Sequence, residues 1–281
     1  MQSSFNRLLF GTAGVPNSTP KRNNPIEGVR QIAKLGLDCM QLEFAHGVRM
    51  KEEVSSALRK VSYELQIPLT SHGPYYINLN AREQDKIDSS VERIIQTAKI
   101  SDMCGAESMT FHAAFYMKDS PYDVFDLVEK SLNVIEERLN RLDIEIELRP
   151  ELTGKTSQFG SLEELISLAK SVNSCLPCLD FSHLYARTNC YNSYDDFCNV
   201  LGQIKGELGK NVLENMHIHI SGISSNSKGD LKHLNLNDSD FNWRDLLRAL
   251  KDWNCKGYVI CNSPNLEVDA KMLKDYYESL N

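Results

Sequence analysis

Imidazoles and carboxylates recur in this sequence in a pattern that could do chemistry. Seven histidines occur, at 46, 72, 112, 183, 217, 219 and 233. Glu43, Glu151, Asp180 and Asp230 stand close to them or at equivalent places in the expected fold. Imidazole with carboxylate, and no cysteine among them, is a ligand set for zinc, manganese or iron. A lone strand histidine is ordinarily a packed, hydrogen-bonded residue, and it is the convergence that argues otherwise. These candidates outnumber the four ligands of one tetrahedral ion. Two or three ions are therefore expected, zinc first, with Mn2+ or Fe2+ as alternatives. Multinuclear sites generate a hydroxide nucleophile and stabilise both oxygens in phosphoester cleavage.

The elements that must position these groups alternate. Short apolar runs of strand length are each followed by a segment of helical periodicity. Strands are expected at 8–13, 39–44, 69–72, 108–115, 144–151, 175–181, 216–221 and 258–262. Helices are expected at 25–35, 51–65, 84–103, 120–142, 161–172, 194–208, 243–253 and 266–280, with a polar loop after residue 221. Asn24 before Pro25 reads as a helix start, and Ser161 with Glu164 as a capping box. Eight strand–helix units in this length predict an α/β fold, a (β/α)8 TIM barrel, as a single domain over 1–281. A doubly wound open sheet is the competitor, but the first turn, Gly11-Thr-Ala-Gly14, lacks a GxGxxG fingerprint. In such a barrel, function sits at the C-terminal strand ends. All seven histidines fall there and none in an expected helix. His217 and His219 share one strand face, as do Glu147, Arg149 and Glu151. Glu151 would reach the rim, and Glu147 with Arg149 would form a deeper ion pair.

Composition sets the bounds. The chain has 281 residues, 41% hydrophobic and 25% charged, which suits a globular core and excludes disorder or collagen-like repeats. No apolar run approaches the roughly 20 residues of a membrane span. A net charge of −7 disfavours nonspecific coating of nucleic acid but not a nucleic-acid enzyme with a local basic rim. Eight cysteines without an apolar leader read as reduced thiols of a cytoplasmic, intracellular protein. Cys175-Leu-Pro-Cys178 lies in a strand-like run and lacks the second pair of a four-cysteine zinc site.

With these positions in view, the chain resembles the endonuclease IV family of apurinic/apyrimidinic endonucleases, part of the xylose isomerase-like TIM barrel superfamily. Six motifs carry the resemblance, in order: Ser71-His-Gly-Pro-Tyr-Tyr-Ile-Asn-Leu79, Phe111-His112, Glu151-Leu-Thr-Gly154 with Gln158-Phe-Gly-Ser161, Leu179-Asp-Phe-Ser-His183, His219-Ile-Ser-Gly222 and Val259-Ile-Cys-Asn-Ser-Pro264. Lys155-Thr-Ser-Gln-Phe-Gly160 is most similar to the archaeal branch. The resemblance implies a trinuclear zinc site that hydrolyses the phosphodiester 5′ to an abasic site in double-stranded DNA, by attack of zinc-bound hydroxide, in base excision repair. It implies that His72, His112 and Glu151 hold one ion, that Glu151 bridges to a second held by Asp180 and His219, and that His183, Asp230 and His233 hold the third. Glu151, Asp180 and Asn262 would be the catalytic positions. Tyr75 and Tyr76 stand where the family wedges side chains into DNA, and Lys155 and Arg187, with Arg49, Lys51, Lys228 and Lys232, are candidate phosphate contacts. A monomer is expected, with no membrane partner.

The chain also departs from the family. The last-strand glutamate ligand is Asn262 here, a poorer ligand with one negative charge fewer, and Cys261 beside it points to the other strand face. His112-Ala-Ala replaces His-Pro-Gly. Asp230 stands one residue further from His233 than the pattern has it, and Leu234-Asn-Leu-Asn-Asp238 replaces a glycine-rich stretch. His217 is an alternative ligand to His219. Two other functions follow: a sugar isomerase or epimerase using one divalent ion on the same barrel, or a catalytically weakened DNA-binding homologue disabled at Asn262.

Overall fold

The computed structural model describes residues 5–225 and 231–280. Asp230 and Lys228 lie outside them. Eight parallel strands form the barrel: β1 (Leu8–Ala13), β2 (Cys39–Glu43), β3 (Leu69–His72), β4 (Ala106–Phe111), β5 (Glu147–Pro150), β6 (Cys178–Asp180), β7 (Met216–Ile220) and, last in the chain, β10 (Gly257–Cys261). Continuous pairing runs β5-β4-β3-β2-β1-β10-β7-β6. The seam between β5 and β6 is closed by parallel bridges, Leu148 to Cys175 and Glu151 to Cys178. Pro177 has no N–H to give to a ladder, which is why β6 is shorter than expected and this seam is held by separate bridges. The expected (β/α)8 architecture is thus present.

Most barrel helices lie within one or two residues of their expected bounds because their caps are local. In α1 (Pro25–Leu35) the Asn24 side chain accepts from the amides of Ile26 and Glu27, and Gly36 closes the helix at φ 69°. The capping box of α5 (Leu162–Ser171) is present, and Glu164 also accepts from the Tyr116 hydroxyl at 2.9 Å. Also around the barrel are α2 (Glu52–Leu65), α3 (Gln84–Cys104) and α4 (Pro121–Arg141). Two elements were not expected. A short helix, α6 (Phe181–Thr188), begins directly at the end of β6, before α7 (Tyr194–Leu208). In place of the polar loop, β8 (Gly222–Ser225) and β9 (Leu231–Leu234) pair antiparallel, with Ile223 opposite His233. The chain then continues through α8 (Trp243–Asp252) and, after β10, ends in α9 (Glu267–Ser279).

Strand alternation divides the burial. One face of each strand packs on the helices in a continuous apolar core that includes Phe10, Met40, Leu69, Phe111, Leu148, Ile218 and Val259. Cys261 belongs to this layer, so it faces away from Asn262. The barrel interior is unusually polar: Gln41, Thr70, Ser108, Thr110, Arg149, Asp180, His217 and His219 are all buried. The expected deep ion pair is present, Arg149 Nη2 lying 2.5 Å from Glu147 Oε2, with Asn215 accepting from the same nitrogen at 2.9 Å. Among the described residues no helix is long and apolar enough to cross a membrane.

Gly257 starts β10 at φ +120°, and a Cβ there would stand 2.0 Å from the Met216 carbonyl oxygen of β7. Gly257→Ala must therefore push β10 off β7 as well as strain the backbone. The expected loss of unfolding free energy is at least about 2 kcal/mol, measured by urea denaturation. A change below about 0.5 kcal/mol would show that the two strands are not in this register.

Candidate metal centre

Strand ends bring the polar groups together because residues two apart share a face. His72 ends β3, and Glu151 directly follows β5. Asp180 ends β6, His219 lies near the end of β7, and Asn262 follows β10. The Asp180-x-x-His183 spacing has a further cause. Asp180 is the N-cap of α6, and its Oδ1 accepts from the His183 amide at 2.7 Å. A cap and the third helical residue lie on the same side of the first turn, so one hydrogen bond sets both side chains.

Glu151 is the centre of the arrangement. His72 Nε2 lies 3.0 Å and His112 Nε2 3.4 Å from its Oε2. His219 Nδ1 lies 3.2 Å and His183 Nδ1 3.5 Å from its Oε1. Asp180 Oδ2 is 3.4 Å from His183 Nδ1. Ligand atoms around a tetrahedral ion at 2.0–2.1 Å stand about 3.3 Å apart. Two sets, His72 with His112 and Glu151, and Glu151 with Asp180 and His183, keep all their ligand atoms within 4.8 Å of one another.

A third pair is the most telling. His183 Nδ1 donates to the Leu152 carbonyl at 3.0 Å, and His233 Nδ1 donates to the Asn262 carbonyl at 3.2 Å. With both protons so assigned, each ring keeps a bare Nε2, and these two nitrogens face each other at 3.2 Å. Two lone pairs cannot hydrogen bond. A shared cation resolves the contact. Burial, then His183 itself, lowers the pKa of His233, and burial pushes His183 down to about 4, so both rings are neutral and ready to ligate.

Buried oxygens fit the same reading. Asp180 Oδ2 and Asn262 Oδ1 have no hydrogen-bond partner. Burial, then the Glu151 charge, pushes the Asp180 carboxyl up to about 6. Burial opposes ionisation of Glu151 as well, but His219 and His112 outweigh it and hold that carboxyl well below the usual range. A cavity of about 400 Å³ bordered by His72, His112, Glu151, His183, His233 and Asn262 opens over these groups. The donor set therefore fits metal ions.

The remaining expected residues fall in different places. His217 lies one layer deeper, its Nδ1 3.0 Å from Ser108 Oγ and its Nε2 3.1 Å from Gln41 Oε1, while His219 faces Glu151. His46 is exposed beyond β2. Tyr75 and Tyr76 are 56% and 48% exposed. Tyr75 packs edge-on against His72 at 5.5 Å, and the Arg93 guanidinium lies 4.7 Å over the Tyr76 ring. Arg187 holds the loop after β5: its Nη1 donates to the carbonyls of Lys155 at 2.6 Å and Gln158 at 3.0 Å. That loop occupies the guanidinium expected to meet phosphate. Lys155 is half-buried, and Arg49, Lys51 and Lys232 are exposed. Two residues were missed. Cys178 is buried, with its sulfur near His217 and His219. Gln41 is fully buried and bonds both of those histidines. Its signal was legible: Gln41 and Glu43 share the inward face of an otherwise apolar strand.

Comparison with known proteins gives a consistent fold. The family model described as Xylose isomerase-like TIM barrel matches residues 29–280. An uncharacterised protein of Methanocaldococcus jannaschii is 43% identical over 274 residues, 97% of this chain and 98% of its own. A probable endonuclease 4 of Aster yellows witches'-broom phytoplasma is 25% identical over 186 residues, 65% of this chain and 62% of that protein. Endonuclease IV from Thermus thermophilus superposes with a TM-score of 0.71 at 19% identity, covering 96% of this chain and 100% of the other. A D-tagatose 3-epimerase-like protein gives the same TM-score of 0.71 at 18% identity, covering 96% and 97%. At these identities the two structures speak to the fold alone.

The raised Asp180 value has a measurable sign. An acid whose folded pKa exceeds its unfolded one destabilises the fold once pH passes the unfolded value, and the penalty is complete above the folded one. Asp180→Asn should therefore stabilise the metal-free protein at about pH 7.5, by up to about 3 kcal/mol, and leave it nearly unchanged near pH 4. Urea denaturation in chelator at the two pH values measures this. An equal effect at both would remove the charge-based account of Asp180.

Proposed function

This chain belongs to the xylose isomerase-like TIM barrel family, and from that premise we propose that it is a metal-dependent phosphodiesterase of the endonuclease IV type. Its substrate in this reading is double-stranded DNA with an abasic site, cut on the 5′ side in base excision repair, with zinc as the metal and with membership of the archaeal-like branch of that family. The observation that carries the proposal is the His183–His233 contact, two Nε2 atoms 3.2 Å apart on rings whose Nδ1 atoms each face a backbone carbonyl. It adds a ligand pair beyond the His72, His112 and Glu151 set, and so supports more than one ion in a single cleft. Bound ions would supply positive charge for the phosphate and a water of lowered pKa.

The chain's own groups divide the remaining work. Glu151 and Asp180 place negative charge between the ligand sets and hold the histidines in register. Tyr75, half exposed beside His72 and His112, offers a ring face at the cleft mouth on which a base stacks. Among the described residues, Lys155 and Lys232, with the exposed Arg49 and Lys51, are the rim cations offered to phosphates. Arg187 acts indirectly, by fixing the loop that carries Lys155.

A second reading is favoured by the grouping of Glu151, Asp180 and His219, which suffices for one ion. It makes the protein an isomerase or epimerase of a small sugar. The number of bound ions separates the two.

The test is incision of a short duplex carrying one abasic site by zinc-loaded protein, read on a denaturing gel with a chelator control. Chelator-sensitive cleavage on the 5′ side is expected, with at least two zinc ions per chain by elemental analysis. Asn262→Glu should raise the incision rate about tenfold, within the range that metal-site changes of this kind produce. Intact duplex in the presence of two or more bound ions would overturn the nuclease reading. One ion per chain together with turnover of a ketose would install the second reading.

A further inference from the structure

Gln41 lies on the cleft wall, and its amide meets two of the site's histidines. Its Oε1 lies 2.9 Å from His219 Nε2 and 3.1 Å from His217 Nε2. Its Nε2 donates to Glu43 Oε1 at 2.9 Å. A carboxylate is an acceptor, so Glu43 dictates which way the amide points: NH2 toward Glu43, carbonyl oxygen toward the two rings. A carbonyl oxygen accepts only, so both rings must bring an N–H on Nε2. For His217 this leaves Nδ1 to accept from the Ser108 hydroxyl at 3.0 Å. For His219 it leaves Nδ1 as the nitrogen facing Glu151 Oε1, 3.2 Å away, carrying an N–H to the carboxylate in the metal-free protein and giving that proton up when a cation takes its place.

We infer that Gln41, oriented by Glu43, is the positioning residue that makes His219 present Nδ1 to the cleft. The other ring assignments sharpen the point. His72, His183 and His233 each give Nδ1 to a backbone carbonyl, of Gly73, Leu152 and Asn262, and each is left with Nε2 for a ligand. His219 is reversed: the Gln41 carbonyl oxygen on β2 takes its Nε2–H, while the Asn262 amide nitrogen lies 3.2 Å from its Nδ1. Outer partners of this kind fix ring tautomer and orientation, and losing one typically weakens metal binding about 10- to 100-fold. The inference rests on the cleft being a cation site. It does not depend on the reaction catalysed there.

The experiment is 15N NMR of histidine-labelled protein, paired with zinc affinity by chelator competition. In the metal-free wild type, His217 should report the Nε2–H tautomer. Zinc-loaded protein should show His219 ligated through Nδ1. Gln41→Met should turn His217 toward Nδ1–H, donating to Ser108, and weaken the tightest zinc site about 10- to 100-fold. Gln41→Glu keeps the acceptor and should restore the wild-type His217 signal. Glu43 is exposed, so Glu43→Gln spares the fold while freeing the amide to turn, and a mixed His217 tautomer is expected. An Nδ1–H signal in the wild type, or a Gln41→Met protein with unchanged tautomer and zinc affinity, would overturn the inference. If Gln41→Met does not fold, an unchanged His217 signal in Glu43→Gln overturns it instead. If wild-type protein binds no zinc, the cation reading fails while the His217 tautomer still reports on Gln41.

Discussion

One buried carboxylate surrounded by imidazoles is the constraint on which this site depends. Glu151 is almost wholly buried, and four histidine nitrogens stand 3.0–3.5 Å from it. A single negative charge cannot balance four protonated rings in a low-dielectric space, so most of the rings must be neutral, the form in which imidazole ligates a cation. The protein meets this demand with its backbone. Loop carbonyls of Gly73 and Leu152 take the Nδ1 protons of two of these rings, His72 and His183, and that of Asn262 does the same for the adjacent His233. The loops after β3, β5 and β10 are therefore outer partners of the site as well as connections, and their conformations are fixed where the chemistry needs them.

The same constraint explains where the barrel gets its stability. Its interior carries amides, hydroxyls, a buried arginine and histidines instead of the branched apolar layers usual in this architecture. The apolar core lies outside the strands, between sheet and helices. A smaller apolar cluster of Cys39, Tyr258 and Ile260 fills part of the interior. Beside it, hydrogen bonds replace packing in two groups, Arg149 with Glu147 and Asn215, and His217 with Ser108 and Gln41. A polar interior is costly wherever a member is unsatisfied, as Arg149 Nε and Thr110 Oγ1 are deep within it. The unpartnered oxygens of Asp180 and Asn262 lie at its open end, in the cleft, where a ligand would complete them.

Much of this was legible in the sequence, and what was not has physical reasons. Barrel strands and helices follow from local signals, an apolar run here and a cap there. His72, Glu151 and Asp180 are strand-end residues, so counting βα units was enough to place them together. The helix α6 was hidden because its N-cap is Asp180 itself: the residue that reads as a ligand is also the start signal. The β8–β9 hairpin was hidden because its strands are short and polar, with no alternation to mark them. Arg187 read as a free rim cation because sequence cannot show that loop carbonyls, many positions away, have taken its guanidinium. Gln41 was legible only by position, as a polar residue on the inward face of β2 with Glu43, because an amide carries no charge to mark it as part of a site.

Asn262 is where the chain's departure from the endonuclease IV pattern becomes a physical argument. Its backbone carbonyl orients His233, and its side-chain nitrogen lies 3.2 Å from His219 Nδ1. This position therefore links the His183–His233 pair to the Glu151 group. Only the backbone half of that link is indifferent to the side chain, so the His233 orientation survives the exchange of carboxylate for amide. What changes is charge. Beside Glu43, Glu151 and Asp180, an amide at 262 leaves the cation-loaded cleft one unit more positive than a carboxylate would. An anionic phosphate is then held more strongly, while a cation is held less strongly at that corner. A neutral sugar gains nothing from the same trade, so a substitution that weakens the metal site on one count favours a charged substrate on the other.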